Sequence, residues 1–312
     1  MNLLVVENLK VTFQTPSGRV RAVDGVTFEL EKAETLALVG ETGCGKSTIA
    51  HSVLSLLPEN TDVSGKVMYT SNNLLLSSEK ELARLRGNDI SLVMQNPALA
   101  LNPVYSIGHQ ITEPLMVHKS LKKKDAILAA KNLLEKLHFK GPASAIQAYP
   151  FEMSGGMKQR ILIGISVVLS PKIIIADEPT KGLDTRLREM VLEELRLVRE
   201  MHQCSMIFIS HDLNAAKDIS DRIAVMYGGE ILESGITKEF FNYPLHPYSK
   251  ALLESLPERG FKPIPGASLS MIHPPEGCKF HPRCPHKKDI CAKKRPDFER
   301  KNKRDVKCVL YS

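Results

Sequence analysis

Apolar residues along the chain fall into short runs with two different periods. Residues 3–10, 20–30 and 35–39 are rich in Val, Leu, Thr and Phe, and Thr15-Pro16-Ser17-Gly18 interrupts them. Such residues around a turn-forming quartet predict a strand-turn-strand opening. Thr35-Leu36-Ala37-Leu38-Val39 is almost continuously apolar, a glycine loop follows it, and residues 47–57 then take apolar spacing compatible with a helix. Strand, loop and helix are predicted there. Residues 107–137 and 164–169 read mainly as helix, with 119–125 as a charged exposed connection, so a helical insertion is predicted. The order then becomes strand 173–176, helix 187–201, strand 206–210, helix 213–219 and strand 222–226. This alternation implies a parallel sheet with helices on both faces. Past Gly235, Pro244, Pro247, Pro257, Pro263, Pro265, Pro274 and Pro275 signal a less regular appendage.

Composition adds limits. With 43% hydrophobic and 25% charged residues in 312, the chain carries enough apolar material for one large core or two modest ones. No apolar run approaches the roughly 18 residues of a membrane span. The start, Met1-Asn2-Leu3-Leu4-Val5-Val6-Glu7, reaches an acid before any useful apolar region, so no secretory signal is read and a cytosolic location is expected. Charge is unevenly placed: residues 277–312 hold twelve basic and four acidic side chains, which leaves residues 1–276 within one charge of neutrality. Cysteines are split the same way. Cys44 and Cys204 are isolated, whereas Cys278, Cys284, Cys291 and Cys308 crowd the basic tail, and in a reducing compartment clustered thiols point to metal rather than disulfides.

Gly40-Glu41-Thr42-Gly43-Cys44-Gly45-Lys46-Ser47, with Thr48 behind it, fits the phosphate-loop pattern between a buried strand and a helix start. Glycines there let backbone N–H groups close on phosphate oxygens. Lys46 is expected to neutralise the β and γ phosphates, and the Ser47 hydroxyl to ligate Mg²⁺. Ile173-Ile174-Ile175-Ala176-Asp177-Glu178 is an apolar strand ending in two acids. Asp177 is placed to hold Mg²⁺, and Glu178 to polarise the attacking water as general base. A glycine turn with a chance lysine and a solvated acidic turn are the competing readings of the two segments taken singly.

Pro150-Phe151-Glu152-Met153-Ser154-Gly155-Gly156-Met157-Lys158-Gln159-Arg160 narrows the class. Ser154-Gly155-Gly156 followed by Gln159-Arg160, ahead of Asp177-Glu178, resembles the signature of ATP-binding cassette (ABC) ATPases. The usual Leu-Ser-Gly-Gly-Gln reads Met-Ser-Gly-Gly-Met here, and Met153 for Leu conserves volume. As a bare peptide the segment is a helix start capped by Ser154. The resemblance adds that its N–H groups face the γ phosphate of an ATP bound on an opposite subunit. Three further segments resemble family motifs in the expected order. Gln95, in Met94-Gln95-Asn96-Pro97, is implied to touch Mg²⁺ or the attacking water and to sense the membrane partner. Gly182-Leu183-Asp184 resembles the loop crossing the dimer interface, although the family more often has Ala where Gly182 stands. His211 resembles the switch histidine that contacts the γ phosphate, and Phe13 aligns with the aromatic that stacks on adenine. Read singly, Gln95, His211 and Phe13 are also a polar strand end, a structural histidine and a core aromatic.

The resemblance covers residues 1 to about 235 and implies an α/β fold of the P-loop NTPase ABC type. Its parts are a RecA-like parallel sheet core, an antiparallel β subdomain and an α-helical subdomain over about 96–170, followed by a C-terminal Cys-rich extension over 236–312. It also implies a head-to-tail pair of ATPase subunits, homologous or identical, that closes over two ATP molecules. Met94-Gln95-Asn96-Pro97, Leu101-Asn102-Pro103 and His246-Pro247-Tyr248-Ser249-Lys250-Ala251-Leu252-Leu253 resemble the dipeptide, oligopeptide and nickel importer branch. Gly277-Cys278-Lys279-Phe280-His281-Pro282-Arg283-Cys284-Pro285 with Cys291 and Cys308 matches that branch's tail, which implies a four-cysteine [4Fe–4S] cluster. The nearby Lys and Arg suit an anionic cluster. Structural zinc and a basic nucleic-acid patch are the competing readings, and Lys293-Lys294-Arg295 and Arg300-Lys301-Asn302-Lys303-Arg304 read equally as a solvated face or a surface for anionic lipid. The expected assembly is an importer at the cytoplasmic membrane face with two permease subunits and an external substrate-binding protein. The rivals are a non-transport ABC ATPase acting on nucleic acid and an accessory cassette in a carbon–phosphorus lyase complex.

Overall fold

The computed structural model describes residues 2–301 and 304–311, so Asn302 and Lys303 of the basic stretch lie outside it. The chain divides into two compact units that do not follow chain order. One joins the residues up to Leu76 to those from Ile209 onward, and the other is the intervening Ser77–Phe208.

The first unit opens with the expected hairpin, longer than the apolar runs alone predict: Asn2–Thr15 pairs antiparallel with Gly18–Glu31. Thr61–Tyr69 pairs with the first strand on its other edge, and Leu4, Val6, Leu9 and Val11 from that strand are fully buried. A second sheet runs in the order Glu299–Lys301, Arg304–Val306, Glu230–Ile236, Arg222–Tyr227, Thr35–Val39. Thr35–Val39 lies parallel to Arg222–Tyr227 with Val39 opposite Val225, and every residue of the former is buried. That burial explains a run with no polar alternation. The glycine loop follows, then the helix Lys46–Val53, four residues shorter at its C-terminal end than the spacing predicts.

The appendage beyond Gly235 is without helix or strand over residues 261–280, as expected, but more regular on either side. It begins with two helices, Thr237–Asn242 and Pro247–Glu254, and its last strands extend the sheet through Glu233 opposite Val306. Pro247 stands at the first turn of its helix, where a missing N–H costs nothing, and His246 caps that helix by accepting the Tyr248 N–H at Nδ1 (3.0 Å). Proline there marks a helix start, which the reading of prolines as breakers overlooks.

In the second unit Ile90–Val93 lies parallel to Ile173–Asp177, with Val93 opposite Ala176. Helices Ile107–Lys119 and Lys123–Lys136, Gly155–Val167 and Thr185–His202 complete it. Leu101, Ile107, Ile111, Leu134, Phe139 and Ile161 form its helical core. No helix among the described residues is long and apolar enough to cross a membrane.

Candidate functional site

The expected site residues fall in both units. In the first, the loop from Gly40 to Lys46 leaves the end of Thr35–Val39 and turns at Gly45, whose φ of 104° starts the helix. A side chain at Gly45 would meet the Ala22 carbonyl oxygen at 2.2 Å, so glycine is required by both backbone and neighbour. Lys46 is 5% exposed and curls back into its own loop: Nζ donates to the Gly40 carbonyl (2.8 Å) and the Glu41 carbonyl (3.1 Å). Cys44 is buried behind it, and burial pushes its thiol up against the opposing pull of Lys46. Thr42 and Gly43 are exposed, Ser47 and Thr48 half-buried. Phe13 sits half-buried opposite Val20 and Thr61 in the antiparallel sheet, and His211 is exposed just past the strand Ser205–Ser210.

In the second unit the parallel register places two expected residues together. Because Val93 and Ala176 are partners, Gln95 and Glu178 leave the sheet from the same end, each two residues beyond its partnered strand residue. Gln95 is exposed in the bend after its strand, while Asp177 and Glu178 are buried. Glu178 has φ of 49°, a left-handed backbone uncommon for a residue with a side chain. Ser154 caps Gly155–Val167 by accepting the Met157 N–H (3.3 Å), and Asp184 caps Thr185–His202 by accepting the Leu187 N–H (2.9 Å). These two starts are neighbours, since a Cβ on Gly156 would come within 2.8 Å of Leu187 Cδ2. Arg160, one turn on, donates to Glu194 and to the Leu137 carbonyl and lies over the Phe139 ring at 5.5 Å.

The four tail cysteines line a single cavity together with His246, Phe280 and Pro296. The Cys278 N–H donates to the Cys291 carbonyl (2.8 Å), and burial pushes the Cys278 thiol up to about 11, with Cys291, Cys308 and Cys284 acting in the same direction. Among the described residues no three His, Cys, Asp or Glu groups are placed to hold one metal ion.

Much of the tail's positive charge is turned inward. Lys279 Nζ lies 2.8 Å from Asp24 and 3.2 Å from Glu230, Arg295 pairs with the same two acids, Arg304 with Glu233, and Arg283 with Glu41. Burial raises the Asp24 carboxyl, but Lys279 and Arg295 outweigh it and hold it below its ordinary value. Lys293, Lys294, Arg300 and Lys301 remain exposed. Arg283 and Tyr248, which the sequence shows only as parts of motifs, both bond to Glu41 of the Gly40–Lys46 loop. No local signal marks contacts made across more than two hundred residues.

Comparison with known proteins gives a consistent picture. Residues 23–181 match the model of the ABC transporter family, and residues 232–291 that of the oligopeptide/dipeptide transporter C-terminal region. The chain is 39% identical to the dipeptide transport ATP-binding protein DppD of Bacillus subtilis, over 99% of this chain and 94% of that one. It is 37% identical to the oligopeptide transport ATP-binding protein OppD of Escherichia coli, over 94% and 89%. Among solved structures it resembles the ATP-binding cassette MJ0796 in a dimeric post-hydrolysis state bound to ADP and Pi (TM-score 0.67, 22% identity, 75% of this chain and 98% of that one). It also resembles cbiO1 from Clostridium perfringens, part of the ABC transporter complex cbiONQ (TM-score 0.63, 25% identity, 78% and 91%).

Proposed function

This chain belongs to the ABC transporter family, a family of ATPases, and from that premise we propose that it powers the import of peptides, with nickel as the other cargo class of the branch. The observation that carries the reading is the near full-length likeness to peptide-transport ATP-binding proteins together with the match of the C-terminal region. The proposed site follows the family arrangement. The loop Gly40–Thr48 cradles the phosphates, Lys46 exchanges its two carbonyl partners for phosphate oxygens, and Phe13 stacks on adenine. Ser47, Gln95 and Asp177 offer oxygen donors suited to Mg²⁺, Glu178 polarises the water, and His211 contacts the γ phosphate. Ser154, Gly155, Gly156 and Asp184 serve the nucleotide of a second, homologous ATPase subunit. Gly155 supports this role, since a Cβ there would meet no other atom of the described residues within 4 Å. Closure driven by ATP and reopening after hydrolysis would convert binding energy into motion.

Two permease subunits and an external substrate-binding protein complete the proposed importer, with this chain at the cytoplasmic membrane face. A groove of about 380 Å³ in the second unit, lined by Arg86, Leu92, Pro114, Val117 and Leu169 among others, supports docking of a permease helix. Exposed Met94, Leu99, Val104 and Phe151 add apolar surface in the same unit. The inward-facing cations of the tail weaken the nucleic-acid alternative, because Lys279, Arg283, Arg295 and Arg304 are already engaged. The test is reconstitution with the cognate permeases: ATPase activity rises when peptide-loaded binding protein is added. No stimulation by peptide or nickel on any loaded binding protein would refute transport.

For the four cysteines we propose an iron–sulfur cluster. A four-thiol donor set around one cavity fits that group. When bound it supplies a covalent staple and one-electron chemistry. The Cys278, Cys284 and Cys308 thiols, pushed up by burial, must lose their protons to bind it, so uptake is more favourable at higher pH. Protein purified without oxygen is expected to be brown, with stoichiometric iron and sulfide. Colourless protein with zinc would overturn the assignment.

A further inference from the structure

Glu41, the first residue after Gly40 in the phosphate loop, is gripped by the last third of the chain. Its backbone N–H donates to the Tyr248 hydroxyl (3.0 Å), and its carboxylate accepts from Arg283 Nη1 (2.9 Å). Its carbonyl accepts from Lys46 (3.1 Å), so N–H, carbonyl and carboxylate are all engaged. Tyr248 and Arg283 lie outside the residues that match the ABC transporter model. Tyr248 is fully buried and Arg283 is 9% exposed.

The grip is itself anchored. Arg283 Nε donates to the Pro265 carbonyl (2.8 Å), Nη1 to the Tyr227 hydroxyl (3.3 Å), and the guanidinium lies over the Tyr227 ring at 5.8 Å. The Tyr227, Tyr248 and Phe280 rings touch pairwise, with centroids 4.7, 5.3 and 5.2 Å apart. Tyr227 ends the strand that runs beside Thr35–Val39, so the brace rests on the same sheet that launches the loop. A buried pair of this kind adds little net stability. What it supplies is fixed geometry.

We propose that Arg283 and Tyr248 are positioning residues of the nucleotide site: they hold Glu41, and through it Lys46 and the loop backbone, in the phosphate-receiving form. The C-terminal region thereby becomes part of the ATP site. This rests on the ATP-binding reading above. Arg283 ends the turn His281–Arg283 between Cys278 and Cys284, and Phe280, which lines the cysteine cavity, packs on the Tyr248 ring.

The test is titration of the full chain with a fluorescent ATP analogue, alongside thermal melting. Arg283→Gln and Glu41→Ala should each raise Kd about tenfold, as expected for losing a buried charge-assisted bond. The double variant should be no weaker than either single, because both remove one interaction. KM should rise with kcat nearly kept. Wild-type Kd in folded Arg283→Gln, or fully additive losses in the double variant, would overturn the proposal. Should Arg283→Gln fail to fold, Tyr248→Phe removes only the hydroxyl that receives the Glu41 N–H. A several-fold rise in Kd is then expected, and an unchanged Kd counts against the grip. Lys46→Ala serves as the control: if it binds as tightly as wild type, the ATP reading itself is at fault, not the grip.

Discussion

Lys46 donates to two carbonyls of its own loop, so on the proposed assignment phosphate binding is an exchange of partners rather than a first engagement. The desolvation of its ammonium is already complete before the ligand arrives, which favours a multiply charged phosphate over neutral competitors. Glu178 shows the opposite economy. Its left-handed backbone costs about 1–2 kcal/mol relative to the ordinary basin, and such strain collects where a side chain must be aimed. On the proposed assignment, Glu178→Gln keeps ATP binding and lowers phosphate release about 10²–10⁴-fold, with the closed dimer accumulating on size-exclusion chromatography. Release within a factor of about two of wild type would remove Glu178 as the base.

Arg160 and Glu194 join the signature helix Gly155–Val167 to the helix Thr185–His202. Burial pushes the Glu194 carboxyl up to about 7, Arg160 pulling against it, and Glu194 Oε2 has no hydrogen-bond partner among the described residues. Unfolded, the same group ionises near its ordinary 4.5. Between those values the folded chain binds more protons than the unfolded one, so stability falls as pH rises through this window and levels off above it. The loss is at most about 3 kcal/mol by linkage. Denaturant titrations from pH 4.5 to 8 should show this slope in wild type and a flatter profile in Glu194→Gln; identical profiles would exclude the carboxyl as its source. At this scale the strands were the most legible feature of the sequence. Ile173–Asp177 and Ser205–Ser210 match their expected limits within a residue, because strands buried on both faces admit only apolar runs. The Ser154 cap was legible for a similar local reason. Helix Pro247–Glu254 was hidden behind a proline that starts it rather than breaks it.

The buried pair of Arg304 and Glu233, 3% and 0% exposed at their side chains, fastens the last strands to the main sheet. Glu233 also accepts the N–H groups of Leu245 and His246 (2.9 and 2.8 Å). Arg304→Ala strands that carboxylate and should cost about 3–5 kcal/mol in denaturant unfolding. A loss below about 1 kcal/mol would place the anchor elsewhere. Such long-range partnerships were illegible beforehand: Glu41 and Arg283 stand 242 positions apart, and neither residue type announces the other. The strand, glycine loop and helix at 35–53 were readable because their pattern is local, whereas the bracing of the loop was not because it depends on how distant segments return. That return has a consequence for synthesis. The strand beneath the loop pairs with Arg222–Tyr227, and the proposed grip on the loop comes from Tyr248 and Arg283, all of which leave the ribosome after the inserted unit. A nascent or prematurely terminated chain therefore carries the loop's letters without the neighbouring strand and the proposed grip, and on that proposal fragments released by stalled translation should hold the cell's nucleotides more weakly than the finished chain.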